Sequence, residues 1–485
     1  MNHEPKEKMQ NISRFKLLML PAFILLMMAG LKANAQRVIS LQQAVDSTIK
    51  NNLTIKQAQL TEALADQDYQ QAKYNQLPSL TANPQGGYYF GKSQIEGAFA
   101  YSSSAFNVQG QANLLVTLYQ GGQLHNQILQ NKLTLDVDKT STAKVKNDLL
   151  LNVVTDYLTI LTDQDLVIAA QQQLDLAKIT LDRAQKNFDA GNATRADLAQ
   201  GQAQVETAVL NLTNDKNQVD LAVLALKQYM EMDPATNITV VKPDISNLTN
   251  VQTVFDATEV IKTAFTTNPD IRLAELQQQT YAQAIKIAKG NYYPVLSLYG
   301  GIGTSYSNQA LNYAETINGT TQIGVVQGSL TPVLGPNIQT NTTPISVGTQ
   351  LSNNFNQFFG LSLQIPIFNR YTARTAVTKA KLNYEYAELT TQLAKNTLSK
   401  TIIQAVLDLE GAEKSYQSAI KTYESNKEAL NVTKQRYDAG LVNTLDYNTA
   451  LTNYNTAQNQ MILGQYEVVF RSKVIDYYLG NPITL

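Results

Sequence analysis

The feature that most constrains this chain is that it is written twice. Residues 51–80 align without a gap to 267–296 at an offset of 216, with Asn52/Asn268, Ile55/Ile271, Ala72/Ala288, Lys73/Lys289, Pro78/Pro294 and Leu80/Leu296 coinciding. From 117 to the C-terminal end the offset becomes 249, so that Phe188-Asp189-Ala190-Gly191 falls on Tyr437-Asp438-Ala439-Gly440 and Asp197 on Asp446. The difference marks an insertion of 33 residues between 297 and 365. Matches in the same order along most of the chain mean one plan used twice, with a first repeat at 36–250 and a second at 251–485.

Each repeat has the same internal order. A helical stretch (41–77; 255–292) runs up to Pro78 or Pro294, where the missing N–H and the ring end a helix. A Gly- and Tyr-rich section follows, then a very long helical stretch (122–189; 370–438) and a glycine, Gly191 or Gly440, suited to a left-handed helix cap. A returning helix (193–231; 442–479) completes the unit, and a connector at 233–254 joins the two. Leu198, Val205, Leu212, Val219 and Leu226 recur every seven residues, the spacing that makes helices supercoil. About 68 residues of helix would extend on the order of 100 Å. On its helices alone the chain suits a soluble bundle equally well.

The middle sections decide against that. In 107–118 the apolar Val108, Ala112, Leu114, Val116 and Leu118 alternate with Asn107, Gln109, Gln111, Asn113 and Thr117. Residues 295–307 and 355–368 alternate likewise, and charged residues are almost absent from all of them. Period two with one apolar and one small-polar face is the pattern of a transmembrane β-strand. Two strands per repeat, about 80–118 in the first, give four in all. Four cannot close a barrel, and an open sheet edge in lipid costs several kcal/mol per unpaired backbone group. Copies of the chain must therefore close the sheet together: two would give eight strands, three would give twelve. The run 308–354, rich in Thr, Asn, Gln and Gly and without periodicity, is expected to be an external loop.

Composition removes most catalytic chemistry. There is no Cys, and of two His only His125 lies beyond the N-terminal segment. Thiol nucleophiles, disulfides and Cys- or multi-His metal sites are excluded. A net charge of −1 offers no basic face for nucleic acid. Residues 1–35 carry Lys6, Lys8, Arg14 and Lys16 before the apolar run Leu17–Gly30, then Ala33-Asn34-Ala35, the pattern of a cleavable export signal. The apolar run is short of the roughly 20 residues that a membrane-spanning helix needs, and no Cys follows it for lipid attachment. Export and membrane strands together point to the outer membrane, with the helices in the periplasm.

The duplicated helix–strand–strand–helix plan resembles the TolC family of outer-membrane efflux proteins. So do Ile39-Ser40-Leu41-Gln42-Gln43-Ala44-Val45, Leu77-Pro78-Ser79-Leu80, Pro366-Ile367-Phe368-Asn369 and the two turns Phe188–Asp197 and Tyr437–Asp446. The resemblance implies a homotrimer: a twelve-stranded β-barrel continuing into a coiled-coil α-helical barrel. It implies partners, a periplasmic adaptor (membrane fusion) protein and an inner-membrane RND or ABC-type pump, and no cofactor. Gly191, Asn192, Gly440 and Leu441 fall at the adaptor-docking turns, and Pro78, Pro294 and Pro366 at strand–helix junctions. Asp446, Asp197 and Tyr437 take the positions of a periplasmic gate. Thr449 and Val442 depart from the family's second acidic position and its arginine. Asp197 and Asp446 serve equally as first-turn carboxylates at a helix N-terminus, and Tyr437 and Phe188 as seam residues. The implied function is a passive exit duct for small molecules or proteins, powered by its partner. The alternative is a periplasm-spanning coiled-coil protein with no conducting lumen. An enzyme has no support in these residues.

Overall fold

The computed structural model describes residues 37–95, 98–242 and 252–481. The export signal at 1–35 and residues 243–251 of the connector lie outside these described residues. The chain forms two compact units. The described parts of Met1–Glu62, Asp138–Ala274 and Thr391–Leu485 make the first, and Ala63–Val137 with Glu275–Thr390 the second.

The first unit is helical. Its principal elements are α1 (Leu41–Asn51), parts of α2 (Leu53–Tyr74) and α3 (Gln123–Asp189), α4 (Arg195–Tyr229), α5 (Ala257–Thr267), the start of α6 (Pro269–Gly290), most of α8 (Thr372–Asp438) and α9 (Thr444–Leu479). A two-stranded parallel sheet joins β1 (Arg37–Ile39) to β4 (Ile238–Val240). The largest core packs Ile39, Leu41 and Val45 with Val153, Tyr157, Leu161, Leu226, Met230 and Val469. Tyr157 is fully buried there. Its hydroxyl donates to the Val241 carbonyl at 2.7 Å, and burial pushes its pKa up to about 12. A second core gathers Val260, Ala264, Ile271, Leu398, Ile402, Leu409, Val468 and Ile475.

The helical stretch expected at 41–77 is made of two helices, divided at Asn52. Asn52 leaves helical geometry and its Oδ1 accepts from the Thr54 N–H at 2.9 Å, so one side chain ends α1 and caps α2. Its Nδ2 donates to the Tyr229 carbonyl at 3.0 Å, tying the break to the end of α4. Asn268 caps α6 in the same way through the Asp270 N–H at 2.8 Å, with Pro269 as the first helical residue, where its missing N–H costs nothing. The helix ends also precede the prolines: α2 stops at Tyr74 and α6 at Gly290, each closed by a short turn.

In the second unit, and among the described residues, four strands form one antiparallel sheet in the order β2 (Ser79–Ile95), β3 (Ala98–Gln120), β5 (Val295–Ser307), β8 (Asn356–Gln364). Register assigns the faces. Leu80, Ala82, Pro84 and Tyr88 lie beside Phe106, Val108, Ala112 and Leu114, then Leu298, Ile302 and Tyr306, then Phe359, Leu361 and Leu363. The other face carries Thr81, Asn83, Gln85, Asn107, Gln109, Gln111, Asn113, Ser297, Ser305, Asn356, Ser362 and Gln364, interrupted by Tyr89, Leu115, Val295, Tyr299 and Phe358. Lys92 is the single charged residue in these four strands. Rings mark both ends of the sheet. Phe90, Tyr88, Phe106 and Tyr306 form a chain with centroid separations of 6.4, 4.8 and 6.4 Å, and Phe368 meets Tyr371 edge-on at 5.7 Å beside Tyr292 near the other end. β8 stops at Gln364 rather than at 368, because Pro366 has no N–H for the ladder.

The segment 308–354 differs from the loop expected of it. It folds into an antiparallel hairpin, β6 (Leu311–Val325) with β7 (Pro332–Pro344), followed by the short helix α7 (Val347–Asn353). Two bulges, between Ile317 and Thr320 and between Gln322 and Gly324, shift the alternation and hide the period in the sequence.

The passage from β3 to α3 rests on close backbone contact. Gly121 has φ +58°, and a Cβ there would stand 2.5 Å from the Gly290 carbonyl oxygen. Gly121→Ala is expected to cost more than about 1–3 kcal/mol, from overpacking plus left-handed strain. The measurement is a thermal midpoint in detergent. Gly411→Ala, in a helix with open space around its Cβ, leaves the midpoint unchanged or slightly higher.

Candidate functional site

The candidate site is the pair of helix turns in the first unit. After α3, Asn192 N–H bonds the Asn187 carbonyl at 2.8 Å and Gly191 N–H the Phe188 carbonyl at 2.9 Å, with Gly191 at φ +77°. After α8, Leu441 N–H bonds Arg436 at 2.8 Å and Gly440 N–H bonds Tyr437 at 3.1 Å, with Gly440 at φ +71°. Both are Schellman caps, which need a left-handed residue and therefore select glycine.

The two aspartates differ in what holds them. Asp197 closes a capping box: Thr194 donates its N–H at 2.9 Å and its hydroxyl at 2.7 Å to one Asp197 oxygen, and the Asp197 N–H returns to Thr194 Oγ1 at 3.1 Å. The Thr194 hydroxyl first, then its N–H, hold the Asp197 carboxyl below the usual range, and Thr444 at the start of α9 adds a weaker bond. Asp446 occupies the same helical position, but only its N–H is used, donated to Asn443 Oδ1 at 2.8 Å. Its carboxylate is exposed and makes no hydrogen bond among the described residues. Thr449 turns its hydroxyl back to the Leu445 carbonyl at 2.9 Å, and Val442 is half-buried.

Tyr437 sits in a stack. Its ring lies 4.9 Å from that of Tyr447 at 15°, and the Arg183 guanidinium lies over the ring at 4.7 Å from its centroid. Arg183 also pairs with Asp438 and donates from Nη2 to the Tyr437 and Asp438 carbonyls, each at 3.3 Å. A cation on the last carbonyls of α8 complements the negative end of that helix. Arg183, Asp438 and Tyr447 were not visible as a group in the sequence, because the first stands more than 250 positions from its partners. Asp438 lies beside Tyr437 and was the available signal. The structure joins Tyr437 to this cluster and Asp197 to Thr194, and it shares neither with Asp446.

Beyond the turns, α9 carries a polar seam. Asn448 is almost fully buried, and neither of its amide atoms has a partner; Asn455 Oδ1 and Gln458 Oε1 are likewise unmatched. A cavity of about 410 Å³ nearby is lined by Gln173, Gln200, Asn211, Asn455, Thr456 and Asn459, all uncharged. Unmet buried amides weaken packing. Among the described residues no His/Cys/Asp/Glu group is placed to hold a metal ion, and no helix is long and apolar enough to cross a membrane. In the second unit Pro78 and Pro294 directly precede β2 and β5, and Pro366 follows β8.

A sheet with one apolar and one uncharged polar face, carried by a chain of long coiled helices, defines a membrane channel protein. The chain belongs to the outer membrane efflux protein family, whose profile matches residues 44–230 and 260–481. It is 22% identical to the outer membrane protein TolC of Salmonella enteritidis over 96% of this chain and 86% of that protein. It is 19% identical to the outer membrane efflux protein BepC of Brucella suis biovar 1, over 92% and 87%. The CmeC outer membrane channel of Campylobacter jejuni superposes with a TM-score of 0.73 at 18% identity, covering 91% of this chain and 85% of that one. The chain is thus a TolC-family outer-membrane efflux protein, a transport conduit and not an enzyme.

Arg183→Ala is expected to cost about 1–2 kcal/mol locally. Amide hydrogens at the end of α8 would then exchange roughly 5–30 times faster, while those in the Tyr157 core would not change. Thr194→Ala removes the α4 cap at about 0.5–2 kcal/mol. The lowered Asp197 pKa gives this cap its full strength above the unfolded carboxylate pKa, and the strength is lost as pH falls through the folded value. Amide exchange in the first turn of α4, followed downward from pH 5, checks both.

Proposed function

We propose that the protein is the passive exit duct of a tripartite efflux or type I secretion system, passing small molecules or proteins across the outer membrane with energy from an inner-membrane pump. The observation that carries this reading is the two-faced, nearly charge-free sheet with open edges at β2 and β8. Those edges are costly in lipid, and pairing β8 with the β2 of another copy removes them. Two copies would give eight strands, an interior just filled by side chains, whereas three give twelve and leave a lumen. Three is the smallest number of copies that gives both closure and a passage. Strand β5, 13 residues long and tilted by roughly 40°, stands about 33 Å tall, which suits an outer membrane. The aromatic groups near both ends suit the two interfaces.

In this reading the two structural repeats each supply two barrel strands and one long helical hairpin, with the helical part in the periplasm. The turns at Gly191, Asn192, Gly440 and Leu441 meet the periplasmic adaptor. Asp446, with its carboxylate unengaged, is the gate residue, and symmetry would bring three such carboxylates around one axis. Like charges so placed attract cations. Tyr437, held by Arg183, fixes the end of α8, while Asp197 serves the helix cap.

Planar-bilayer conductance of the purified protein, with its mass in detergent, tests the reading. A trimer with discrete conductance is expected, and a monomer without conductance would overturn it. Asp446→Asn is expected to change the single-channel conductance and weaken block by divalent cations at least several-fold. Unchanged block would remove Asp446 from the gate.

A further inference from the structure

Arginine and tyrosine stand in the second repeat where the first has a pair of glycines. The turn from β3 into α3 is made by Gly121 at φ +58° and Gly122 at φ +74°. At the repeat offset of 249 these fall on Arg370 and Tyr371, which lead from β8 into α8 and hold similar left-handed values, φ +54° and φ +63°. Glycine enters that region freely, whereas a residue with a Cβ is strained there. The second repeat thus keeps two large side chains at a backbone cost that the first repeat avoids.

The fold itself makes little use of these side chains. Arg370, Tyr371 and Arg374 are exposed, and neither arginine has an ion pair or hydrogen bond among the described residues. Arg374 lies in the first turn of α8, where the helix dipole disfavours a cation, so helix stability does not account for it. With Asn291, Tyr292, Ile367 and Phe368, the side chains of Tyr371 and Arg374 line a cavity of about 290 Å³. Ile365 and Ile367 extend the spacing of two set by Phe359, Leu361 and Leu363, and Ile367 is 96% exposed. The cavity therefore stands where the apolar row of the sheet ends.

The surrounding charge has a single sign. Lys132 lies within the first ten residues of α3, Lys379 and Lys381 within the first ten of α8, and Lys286 and Lys289 within the last five of α6. Between Glu275 and Glu385 the sole acidic residue is Glu315, on the β6–β7 hairpin beyond the other end of β5, and none stands between Glu96 and Asp136. A chain with 38 basic and 39 acidic residues has kept its carboxylates away from this level. The lysines at the end of α6 also suit the helix dipole, but Arg370, Arg374, Lys379 and Lys381 have no such explanation.

An apolar wall, aromatic rings and unpaired guanidinium groups at the level where sheet gives way to helix match the chemistry of one amphiphile. A phospholipid lays its acyl chains along the apolar face and stands its phosphate at the edge, where a guanidinium offers paired N–H donors and rings suit the interface. Free phosphate would leave the apolar wall uncovered.

We infer that Arg370 and Arg374, with Tyr292, Phe368 and Tyr371, bind the phosphate headgroup of a phospholipid in the leaflet that faces the helices. The inference rests on the membrane reading of the sheet given above, and the test separates the two. The full protein, purified in mild detergent, is mixed with phosphatidylglycerol and followed by native mass spectrometry. Lipid retained on the trimer is expected, with several-fold less on Arg370→Gly combined with Arg374→Gln. Equal retention by that double variant overturns the inference. Arg370→Gly alone is expected to keep or raise the thermal midpoint without lipid, because a left-handed glycine is unstrained. It is also expected to lose most of the rise that phosphatidylglycerol gives the unmodified protein. A lowered midpoint without lipid overturns the inference, since Arg370 would then serve the fold. Inorganic phosphate that reproduces the full rise overturns the lipid as occupant. Loss of the trimer in the double variant also overturns it, since the neighbouring copy would then cover the arginines. An unmodified chain that is monomeric in detergent, yet retains lipid through these arginines, overturns the ring of copies and leaves the headgroup site standing.

Discussion

An unpaired strand edge is intolerable in a lipid layer, and the rest of this molecule follows from that. Backbone N–H and C=O groups have no water to turn to within the hydrocarbon. The sheet β2–β3–β5–β8 ends in two such edges. Leu80, Phe359, Leu361 and Leu363 on its apolar face are exposed, and the four strands carry a single charged residue, too few to suit open solvent. Both properties are satisfied at once by closing the sheet with further copies around a wet lumen. Closure with further copies is therefore a consequence of hydrogen-bond accounting, and the proposed trimer and duct follow from the strand number that leaves a lumen.

At the helix turns the governing interactions are local. Two Schellman glycines and two side-chain caps satisfy the backbone groups that a reversing helix exposes, and they account for Asp197 almost completely. Asp446 stands in the equivalent place with a carboxylate that none of the described residues engages by a hydrogen bond. The same motif thus supplies a structural aspartate in one repeat and a chemically available one in the other. The difference lies in the cap, threonine at 194 and asparagine at 443. Thr194 donates to the carboxylate, whereas Asn443 uses its oxygen to accept from the backbone. The Arg183 stack supplies a cation at the end of α8.

Much of this was legible beforehand because it is periodic or local. Alternation in 107–118 identified a membrane strand without reference to its neighbours, and the glycines at 191 and 440 announced helix reversals. The division at Asn52 was less visible, since a cap residue within a helical pattern ends one helix and begins the next with no break in hydrophobic period. The β6–β7 hairpin was hidden for a related reason: bulges shift the alternation, and a polar, two-sided strand has no strong pattern to shift. Residues drawn together across long separations, Arg183 with Tyr437 and Asp438 or Gln350 with Ser307, left no trace in spacing.

The amino-acid sequence by itself determined the long helices, the two-faced alternation of the strands and the positions of both turns, because each depends on intervals of a few residues. Tertiary structure alone decided which strands are edges, which aspartate is already occupied and where the guanidinium lands. These depend on register and on contacts between distant segments, and pairing geometry across space is not written in any local interval.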